Sequence, residues 1–340
     1  MNAYLYPNSK WKGIENPYLD NFVKSFRDKI EFINYSNTAK AGLIDIFKYI
    51  FRLDLIFFNW VEDVPSKKGG LIQWIMFKYI IYPVLKMRKV KIIWVLHNNV
   101  SHYNTNLKLK QEIFDSFFKY SDIILTHAED GVQIINGKLG EENNKALYYP
   151  HPFNSRNRHM NQKKQIDILI WGSISRYKGI HLFMDQVNQS KYLQDLNIKI
   201  CGKVMDKTYE ETLIASLPNN VDFQNRFVTN EELDEYLAAS KITLFIYASD
   251  SVLSSGALSD SVGYGNVIVG PAIGAFKDLN KYNLVSLFSN PDEIPDVCKK
   301  ILDNFPNSEM INSPDNSFVY NHSWSDFSEF FMNSLSNSKL

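Results

Sequence analysis

A loop of serine and glycine residues precedes a short predicted helix in the second half of the chain. Ser254, Ser255 and Gly256 form the loop, and residues 257–264 form the helix, between buried strands predicted at 242–247 and 267–269. Backbone N–H groups at the start of such a helix lack intrahelical partners and lie at the positive end of the helix dipole, which suits an anionic ligand such as a diphosphate. The alternative is an ordinary turn in which Ser255 caps the helix.

Two basic residues follow another predicted strand. Arg176 and Lys178 lie in the segment WGSISRYKG, residues 171–179, after the strand predicted at 166–171. Two cations beside a diphosphate would offset the negative charge that develops on a leaving group. A solvated pair of basic residues in a loop is the alternative.

Three histidines follow predicted strands of the first half. His97, with Asn98 after it, ends the apolar strand KIIWVL and can hydrogen-bond a sugar hydroxyl or take part in acid/base chemistry. The alternative is a structural histidine at a strand end, and the equivalent positions of His127 and His151 weaken the case for any one of the three. Gly13, after the first strand, either lets the backbone approach a substrate or only forms a turn.

Composition and missing motifs exclude several classes of protein. The 340 residues include 37 basic and 37 acidic side chains, so no net field attracts nucleic acid. The sequence lacks phosphate-loop, dinucleotide, zinc-protease and serine-hydrolase motifs and a dense Cys/His cluster, so neither metal nor cofactor is expected. Cys201 and Cys298 lack paired spacing, which predicts reduced thiols and a cytoplasmic location. No signal peptide is evident, and Lys78 divides the most apolar span, so no membrane crossing is expected.

Strands and helices alternate in both halves, which predicts parallel sheets with right-handed crossovers and a polar hinge at 150–165. The predicted strands are apolar runs at 3–6, 30–35, 54–60, 91–97, 122–126, 146–149, 166–171, 197–201, 221–224, 242–247, 267–269 and 284–288. The predicted helices lie at 16–27, 43–51, 71–87, 107–120, 179–189, 207–216, 231–240, 257–264, 292–304 and 322–335, with Thr229 and Glu232 as a capping box.

The chain resembles a glycosyltransferase of the GT-B fold, and most of all the retaining enzymes of glycosyltransferase family 4, also called group 1, near the β-mannosyltransferase-like and surface-polysaccharide enzymes. The resemblance spans nearly the whole chain through NPY at 16–18, VLHN at 95–98, GSISRYKGI at 172–180, NEELDEYLAASKITLFIY at 230–247 and SSGALSDSVGYGNVIVGP at 254–271. It implies an α/β fold of two Rossmann-like, doubly wound parallel-sheet domains that face each other across a cleft. An acceptor-side domain is expected at 1–155, a donor-binding domain at 156–320, and a terminal helix that packs back on the first domain at 321–340.

The resemblance also implies residue roles. His97 would lie near the transferred sugar, and Arg176 and Lys178 would contact the diphosphate. The implied donor-binding residues are Gly172, Ser173, Arg226, Phe227, Val228, Ser254, Ser255, Gly256, Ala257, Leu258 and Asp260, and the acceptor-side residues are Gly13, Asn98 and His151. The chain departs from the family pattern where Val252 and Asp260 stand at positions that many members fill with glutamates, and where Ser173 stands for an arginine.

The implied activity is transfer of a sugar from a nucleoside-diphosphate donor to a hydroxyl of a glycan or lipid-linked saccharide, without a metal, in surface polysaccharide assembly. The alternatives are a nucleotide-sugar epimerase of the same fold and a catalytically silent sugar-nucleotide-binding protein. Lys86, Arg88, Lys89 and Lys91 follow an apolar predicted helix and could contact the inner face of an anionic cytoplasmic membrane. The alternative is a buried crossover helix whose basic end complements its dipole.

Overall fold

The chain forms two compact units. The computed structural model describes residues 1–8, 16–37, 40–99, 106–154, 163–248, 252–264, 266–305 and 317–337. Unit 1 contains Met1–Pro150 together with Trp324–Leu340, and unit 2 contains His151–Ser323.

Unit 1 is built on a six-stranded parallel sheet with the strand order β2-β1-β3-β4-β5-β6. Its strands are β1 (Asn2–Tyr6), β2 (Glu31–Phe32), β3 (Leu55–Asn59), β4 (Lys91–Leu96), β5 (Ile123–Thr126) and β6 (Ala146–Tyr148). The α-helices are α1 (Pro17–Ser25), α2 (Gly70–Met76), α3 (Tyr82–Met87), α4 (Leu107–Tyr120) and α5 (Glu129–Leu139). Every residue of β3 is buried, as expected for a strand covered on both faces.

The last helix of the chain completes the core of unit 1. Phe327 and Phe331 of this helix, Trp324–Asn337, are fully buried. The ring of Phe331 lies 5.4 Å from that of Phe57 on β3, and the ring of Phe327 lies 5.7 Å from that of Phe22 on α1. These aromatic contacts bury large apolar surfaces on one face of the sheet, which stabilises the unit.

Unit 2 is built on a second six-stranded parallel sheet, with the order β12-β11-β10-β7-β8-β9. Its strands are β7 (Ile166–Trp171), β8 (Ile198–Cys201), β9 (Val221–Gln224), β10 (Ser240–Leu244), β11 (Val267–Pro271) and β12 (Ser286–Phe288). Its α-helices are α6 (Ile180–Gln189), α7 (Lys191–Gln194), α8 (Lys207–Ala215), α9 (Asn230–Ala239), α10 (Gly256–Tyr264), α11 (Gly274–Asn280), α12 (Ile294–Asp303) and α13 (Ser317–Tyr320), and the last helix of unit 1 is α14.

The structure confirms an α/β fold with two doubly wound parallel sheets, and each of the twelve predicted strands overlaps an observed one. The capping box at the start of α9 is present, with Thr229 and Glu232 each bonding the other's backbone. None of the helices among the described residues combines the length and the apolar character needed to cross a membrane.

Several helices differ from their prediction. The segment expected to be α-helical at 43–51 forms 3₁₀ turns instead, at Gly42–Lys48 and Ile50–Arg52. The helix expected at 71–87 contains a π-helical segment, Phe77–Ile81, between α2 and α3. Helices α5, α7, α11 and α13 were not predicted, and α5 in particular contains Gly131 and Gly137, which lower helix propensity.

Candidate active site

The sheet of unit 2 reverses its strand order between β7 and β10, which lie side by side. Ligands of open α/β sheets bind outside the carboxyl ends of the strands at such a reversal. The segment after β7 begins with Gly172, and the segment after β10 contains Tyr247. The candidate site is therefore built from the residues that follow these two strands.

Lys178 is held against Tyr247 at this reversal. Its Nζ donates a 2.6 Å hydrogen bond to the Tyr247 hydroxyl and lies 4.4 Å from the centre of the same ring. Burial lowers the pKa of Lys178 from its ordinary value, because an apolar environment disfavours the charged form. The Tyr247 hydroxyl also hydrogen-bonds the Ser255 side chain, which joins the lysine to the segment before α10.

Backbone contacts fix the two segments that carry Lys178 and Tyr247. The Tyr247 N–H donates to the Lys178 carbonyl oxygen at 3.1 Å, and the Ala248 N–H donates to the Tyr177 carbonyl oxygen at 2.8 Å. Gly179 has a φ of 70°, and a Cβ there would lie 3.1 Å from the Ala248 nitrogen. Glycine is therefore required for both the left-handed conformation and the close approach of the two segments.

Arg176 begins the 3₁₀ turn that ends at Lys178, and its side chain is exposed. Its guanidinium carbon lies 5.0 Å from the centre of the Tyr209 ring, within the range of a cation–π contact. Tyr209 is fully buried, and its hydroxyl hydrogen-bonds His181 Nδ1 at 2.9 Å. The Arg176 guanidinium thus lies over the ring of a tyrosine that is itself held in place.

The first turn of α10 lies beside the end of β7. A Cβ built on Gly172, whose φ is 104°, would lie 3.8 Å from the Ala257 Cβ. The Trp171 indole N–H donates a 2.9 Å hydrogen bond to Ser261 Oγ, which is buried in α10. The structure therefore brings together two clusters that are about eighty residues apart in the sequence, including Gly172, Ser173, Lys178, Ser254, Ser255, Gly256, Ala257 and Leu258.

Asp260 on α10 is oriented by the segment that opens unit 2. The Asn154 amide donates a 3.0 Å hydrogen bond to an Asp260 carboxylate oxygen. His151 is buried nearby; its Nδ1 lies 3.0 Å from the Pro152 carbonyl oxygen, and burial lowers its pKa from the usual value. Val252 is 3% exposed and lies in an apolar cluster of this unit.

Arg226 is held by an acidic residue of its own unit. Its guanidinium donates to both carboxylate oxygens of Glu232, at 2.9 and 2.7 Å, and to the Tyr236 hydroxyl at 3.2 Å. Phe227 is 75% exposed and Val228 is partly buried. The three residues thus follow β9 as a segment anchored by Arg226 with an exposed aromatic ring beside it.

His97 of unit 1 follows β4 and is stacked on Trp60, with ring centres 4.3 Å apart and planes 16° apart. Its Nε2 lies 2.8 Å from Asn59 Oδ1, and the Asn59 amide nitrogen donates to the Tyr6 carbonyl oxygen at 3.3 Å. Since this orientation makes Asn59 Oδ1 an acceptor, His97 Nε2 carries the proton. Asn98, directly after it, is half-buried.

The other strand-end histidine of unit 1 is structural. His127 Nδ1 lies 2.8 Å from the Tyr149 carbonyl oxygen, and its Nε2 lies 2.9 Å from the Tyr18 hydroxyl. Both ring nitrogens are used within the unit, and the side chain is 1% exposed. Gly13, which was predicted to contribute to this edge, lies outside the described residues.

Sequence reasoning missed the groups that hold the candidate residues in place. Tyr247, Ser261, Asn154 and Asn59 are ordinary-looking residues, and each is recognised only through a contact with a residue distant in the chain. A weak signal was available for Tyr247, since it is an aromatic residue that closely follows the strand beside β7. Among the described residues, the structure shows no group of three or more His, Cys, Asp or Glu side chains that could hold a metal ion.

Comparison with known proteins finds a family model that matches part of the chain. Residues 153–252 match the family model described as Glycosyl transferases group 1. A search of curated protein sequences finds no significant match.

Solved structures share the fold over nearly the whole chain. HepE from Anabaena, in complex with UDP and glucose, has a TM-score of 0.72 and 10% sequence identity, and 99% of each chain is covered. Sucrose-phosphate synthase from Thermosynechococcus elongatus has a TM-score of 0.70 and 10% identity, with 99% of this chain and 98% of that one covered. A mutant of TarM from S. aureus has a TM-score of 0.63 and 12% identity, with 86% of this chain and 57% of that one covered.

The fold is therefore that of the GT-B glycosyltransferases, and the expected resemblance to group 1 of these enzymes is confirmed. The matched segment begins at Phe153 and ends at Val252, so it includes Lys178 and Tyr247 but stops before α10.

Proposed function

We propose that this chain transfers a sugar from a nucleoside-diphosphate sugar to a hydroxyl of a glycan or lipid-linked saccharide, in the assembly of a surface polysaccharide. The group 1 match and the GT-B fold support glycosyl transfer. HepE of the same fold has been solved with UDP-glucose and with UDP and glucose, so a uridine diphosphate sugar is the first donor to test.

The observation that carries the proposal is the cluster at the strand reversal of unit 2. A half-buried lysine, Lys178, is linked through the Tyr247 hydroxyl to Ser255, next to the first turn of α10. N–H groups at the start of α10 and the Lys178 ammonium group would bind the diphosphate, and Arg176 would add a second cation. These are the groups that a departing diphosphate needs.

In the proposed reaction the acceptor oxygen forms a bond to the anomeric carbon while the bond from that carbon to the diphosphate oxygen breaks. The bonding electrons leave with the diphosphate, which also receives the proton of the acceptor hydroxyl. Retention of the anomeric configuration follows if both events occur on the same face of the sugar. Fixed cations and helix N–H groups take the place of a metal ion in stabilising the leaving group.

Unit 1 supplies the proposed groups for the transferred sugar and the acceptor. His97 is 7% exposed and is held by Asn59 and by stacking on the partly exposed Trp60. An imidazole fixed in one tautomer offers a hydrogen bond of defined direction to a sugar hydroxyl, and flat aromatic rings pack against the apolar faces of ligands. The family resemblance assigns Asn98 of unit 1 to the acceptor side, together with His151 at the start of unit 2.

One observation favours a second candidate, a protein that binds sugar nucleotides without turnover. Position 252 is occupied by a buried valine, and Asp260 is hydrogen-bonded to Asn154. Position 252 therefore offers no carboxylate to the donor. The carboxylate at position 260 is present but is oriented by the Asn154 amide. Measurement of turnover separates this candidate from the transferase.

The test is a screen of UDP-, GDP- and other nucleotide sugars by thermal shift and by slow donor hydrolysis. We expect one nucleotide class to raise the melting temperature and its sugar conjugate to be hydrolysed. Arg176→Gln should weaken both signals, whereas Lys300→Gln, which changes an exposed lysine on α12, should leave them unchanged. Binding without hydrolysis would favour the silent protein, and the absence of binding to every nucleotide would refute the proposal.

A further inference from the structure

The helical segment 70–87 of unit 1 is apolar on two sides. One side packs on the unit and contains Trp74, Phe77, Ile81 and Leu85, all of which are buried. The other side is also apolar but faces solvent. We call it the apolar face, and it consists of Leu71, Ile72, Ile75, Tyr79, Ile80 and Met87. A helix that is apolar all round normally has a partner on every side.

The exposure of this face is large. Ile72 is 63% exposed, Tyr79 is 66% exposed and Met87 is 81% exposed. Phe51 extends the face at its C-terminal end: it is 73% exposed, and its carbonyl oxygen accepts a 2.8 Å hydrogen bond from Arg88. Contiguous apolar surfaces of this kind mark sites that bind another surface, whereas single exposed apolar residues are common.

Basic residues predominate in the sequence around the apolar face. Residues 64–111 contain no Asp or Glu and nine basic residues, namely Lys67, Lys68, Lys78, Lys86, Arg88, Lys89, Lys91, Lys108 and Lys110. Some of these are paired with acidic residues from outside the segment, since Lys78 bonds Glu112 at 2.7 Å and Lys91 lies 4.0 Å from Asp122. Lys86, Arg88 and Lys89 are exposed and lie where the apolar face ends.

We propose that the apolar face, with the basic residues at its end, rests on the surface of an anionic lipid bilayer. An amphipathic helix lies in the interface with its apolar side among the acyl chains, and basic side chains beside it are attracted to anionic headgroups. A tyrosine such as Tyr79, with an apolar ring and a polar hydroxyl, suits the headgroup level. The proposal concerns a surface apart from the donor cluster, and it does not depend on the sugar or on the proposed transfer.

The charge pattern favours a bilayer over a second copy of the chain. In a symmetric dimer the same surface occurs on both partners, so two predominantly basic surfaces would be brought together. Like charges that meet across an interface are unfavourable. An anionic bilayer can bury the apolar face among its acyl chains and attract Lys86, Arg88 and Lys89 to its headgroups at the same time.

The experiment is co-sedimentation of the full chain with vesicles of phosphatidylcholine alone or mixed with phosphatidylglycerol. We expect binding to the anionic vesicles that weakens as salt is added, because headgroup attraction is screened. The combined variant Ile72→Ser, Ile75→Ser and Tyr79→Ser should bind at least tenfold more weakly. Its matched control is Met205→Ser with Ile214→Ser, which removes exposed apolar residues from unit 2 and should bind like the unchanged chain.

A second variant tests the charges alone. Lys86→Gln, Arg88→Gln and Lys89→Gln lie on the surface and should leave the fold intact, while binding falls by about fivefold for each charge removed. Circular dichroism and nucleotide thermal shift verify folding, so a failure of membrane binding is distinguishable from a failure of the proposed transfer. The proposal would be overturned if the chain bound neutral and anionic vesicles equally, or if neither variant changed the binding. It would also be overturned if light scattering showed a dimer that the first variant converts to monomers.

Discussion

Replacing Lys178 by methionine separates its contribution to ligand binding from its effect on stability. The ammonium group is partly withdrawn from water, is bonded to the Tyr247 hydroxyl, and has a pKa that burial lowers from its ordinary value. Methionine keeps most of the side-chain length and apolar surface but has no charge. We therefore expect Lys178→Met to weaken binding of a nucleoside diphosphate without unfolding the protein.

The size of the binding effect follows from the contact that is removed. A hydrogen bond to a charged partner contributes about 1.5 to 3 kcal/mol, which corresponds to a Kd raised roughly 10- to 150-fold. Isothermal titration calorimetry with UDP, or with whichever diphosphate the screen identifies, measures this change. Lys178→Arg keeps the charge and should lose less, and Lys300→Met is the control at a site distant from Tyr247 in the sequence.

The pH dependence of binding has a definite sign. The diphosphate group is almost fully ionised above about pH 7. Any titration of the nucleotide base is common to the unchanged protein and to Lys178→Met, so the difference between the two comes from Lys178. Because burial lowers the pKa of Lys178, the ammonium group loses its proton at a lower pH than an ordinary lysine. The affinity of the unchanged protein should fall as the pH rises through that pKa, whereas the affinity of Lys178→Met should not show this fall.

The free energy of unfolding should rise with pH, in the opposite sense to the affinity for the nucleotide. Between the lowered pKa of Lys178 in the folded protein and the model value of 10.5, the unfolded chain binds more protons, so the free energy of unfolding rises with pH in this range. Lys178→Met lacks this rise and should be at least as stable as the unchanged protein at neutral pH, measured by urea denaturation. A variant that binds nucleotide as tightly as the unchanged protein would refute the role of Lys178 in binding the diphosphate.

Three further predictions concern other parts of the molecule. Burial raises the pKa of Glu62 from 4.5 to about 8, so between these pH values the folded protein retains a proton that the unfolded chain releases, and the free energy of unfolding falls as the pH rises. Glu62→Gln lacks this fall, so its free energy of unfolding relative to that of the unchanged protein should be higher at pH 8 than at pH 5. An equal difference between the two proteins at both pH values would contradict this. Ser261→Ala leaves the Trp171 indole N–H without its acceptor and should lower the free energy of unfolding by about 1 to 3 kcal/mol in urea denaturation, against Ser336→Ala on α14 as a control. Transfer should persist in the presence of a chelator, because fixed cations are proposed to stabilise the diphosphate; a loss that added Mg²⁺ restores would show that a metal takes part.

Much of the sheet architecture could be predicted because its signal is local. Runs of Ile, Phe, Val and Trp such as KIIWVL at 91–96 identify buried strands by composition alone, and the alternation of strands with helices then gives parallel sheets. The helices that were missed carry weaker local signals. The segment 129–139 contains two glycines, and its helix is stabilised by packing in the unit more than by its own propensity.

The candidate site was predictable only in part, for a related reason. Arg176, Lys178 and Ser255 are predicted from the sequence because cations and small residues after strands have a recognisable chemistry. Their supporting residues are not, because a hydrogen bond such as that from Trp171 to Ser261 joins positions ninety residues apart and leaves no periodic pattern in the sequence. Local rules identify candidate ligand-binding groups, whereas the contacts that orient these groups require the fold.

In each unit, an aromatic residue with a left-handed backbone conformation packs against a candidate site residue. Tyr247, after β10, has a φ of 56°, and Trp60, directly after β3, has a φ of 47°; both values lie in the left-handed region that is unfavourable for side chains with a Cβ. Such a conformation costs about 1 kcal/mol or more and persists only where surrounding contacts enforce it. In each unit the aromatic ring that results packs against a residue proposed to meet the substrate, Lys178 on Tyr247 and His97 on Trp60.

We infer that Tyr247 and Trp60 serve to orient Lys178 and His97, which their side chains alone would not suggest. Glycine at either position would relieve the backbone but remove the ring, and with it the surface that fixes Lys178 or His97. Phenylalanine at 247 would keep the ring and the backbone strain while it removes the hydroxyl that joins Lys178 to Ser255. If orientation of the lysine depends mainly on that hydroxyl, Tyr247→Phe weakens nucleotide binding almost as much as Lys178→Met; if it depends mainly on the ring, only Tyr247→Gly does so.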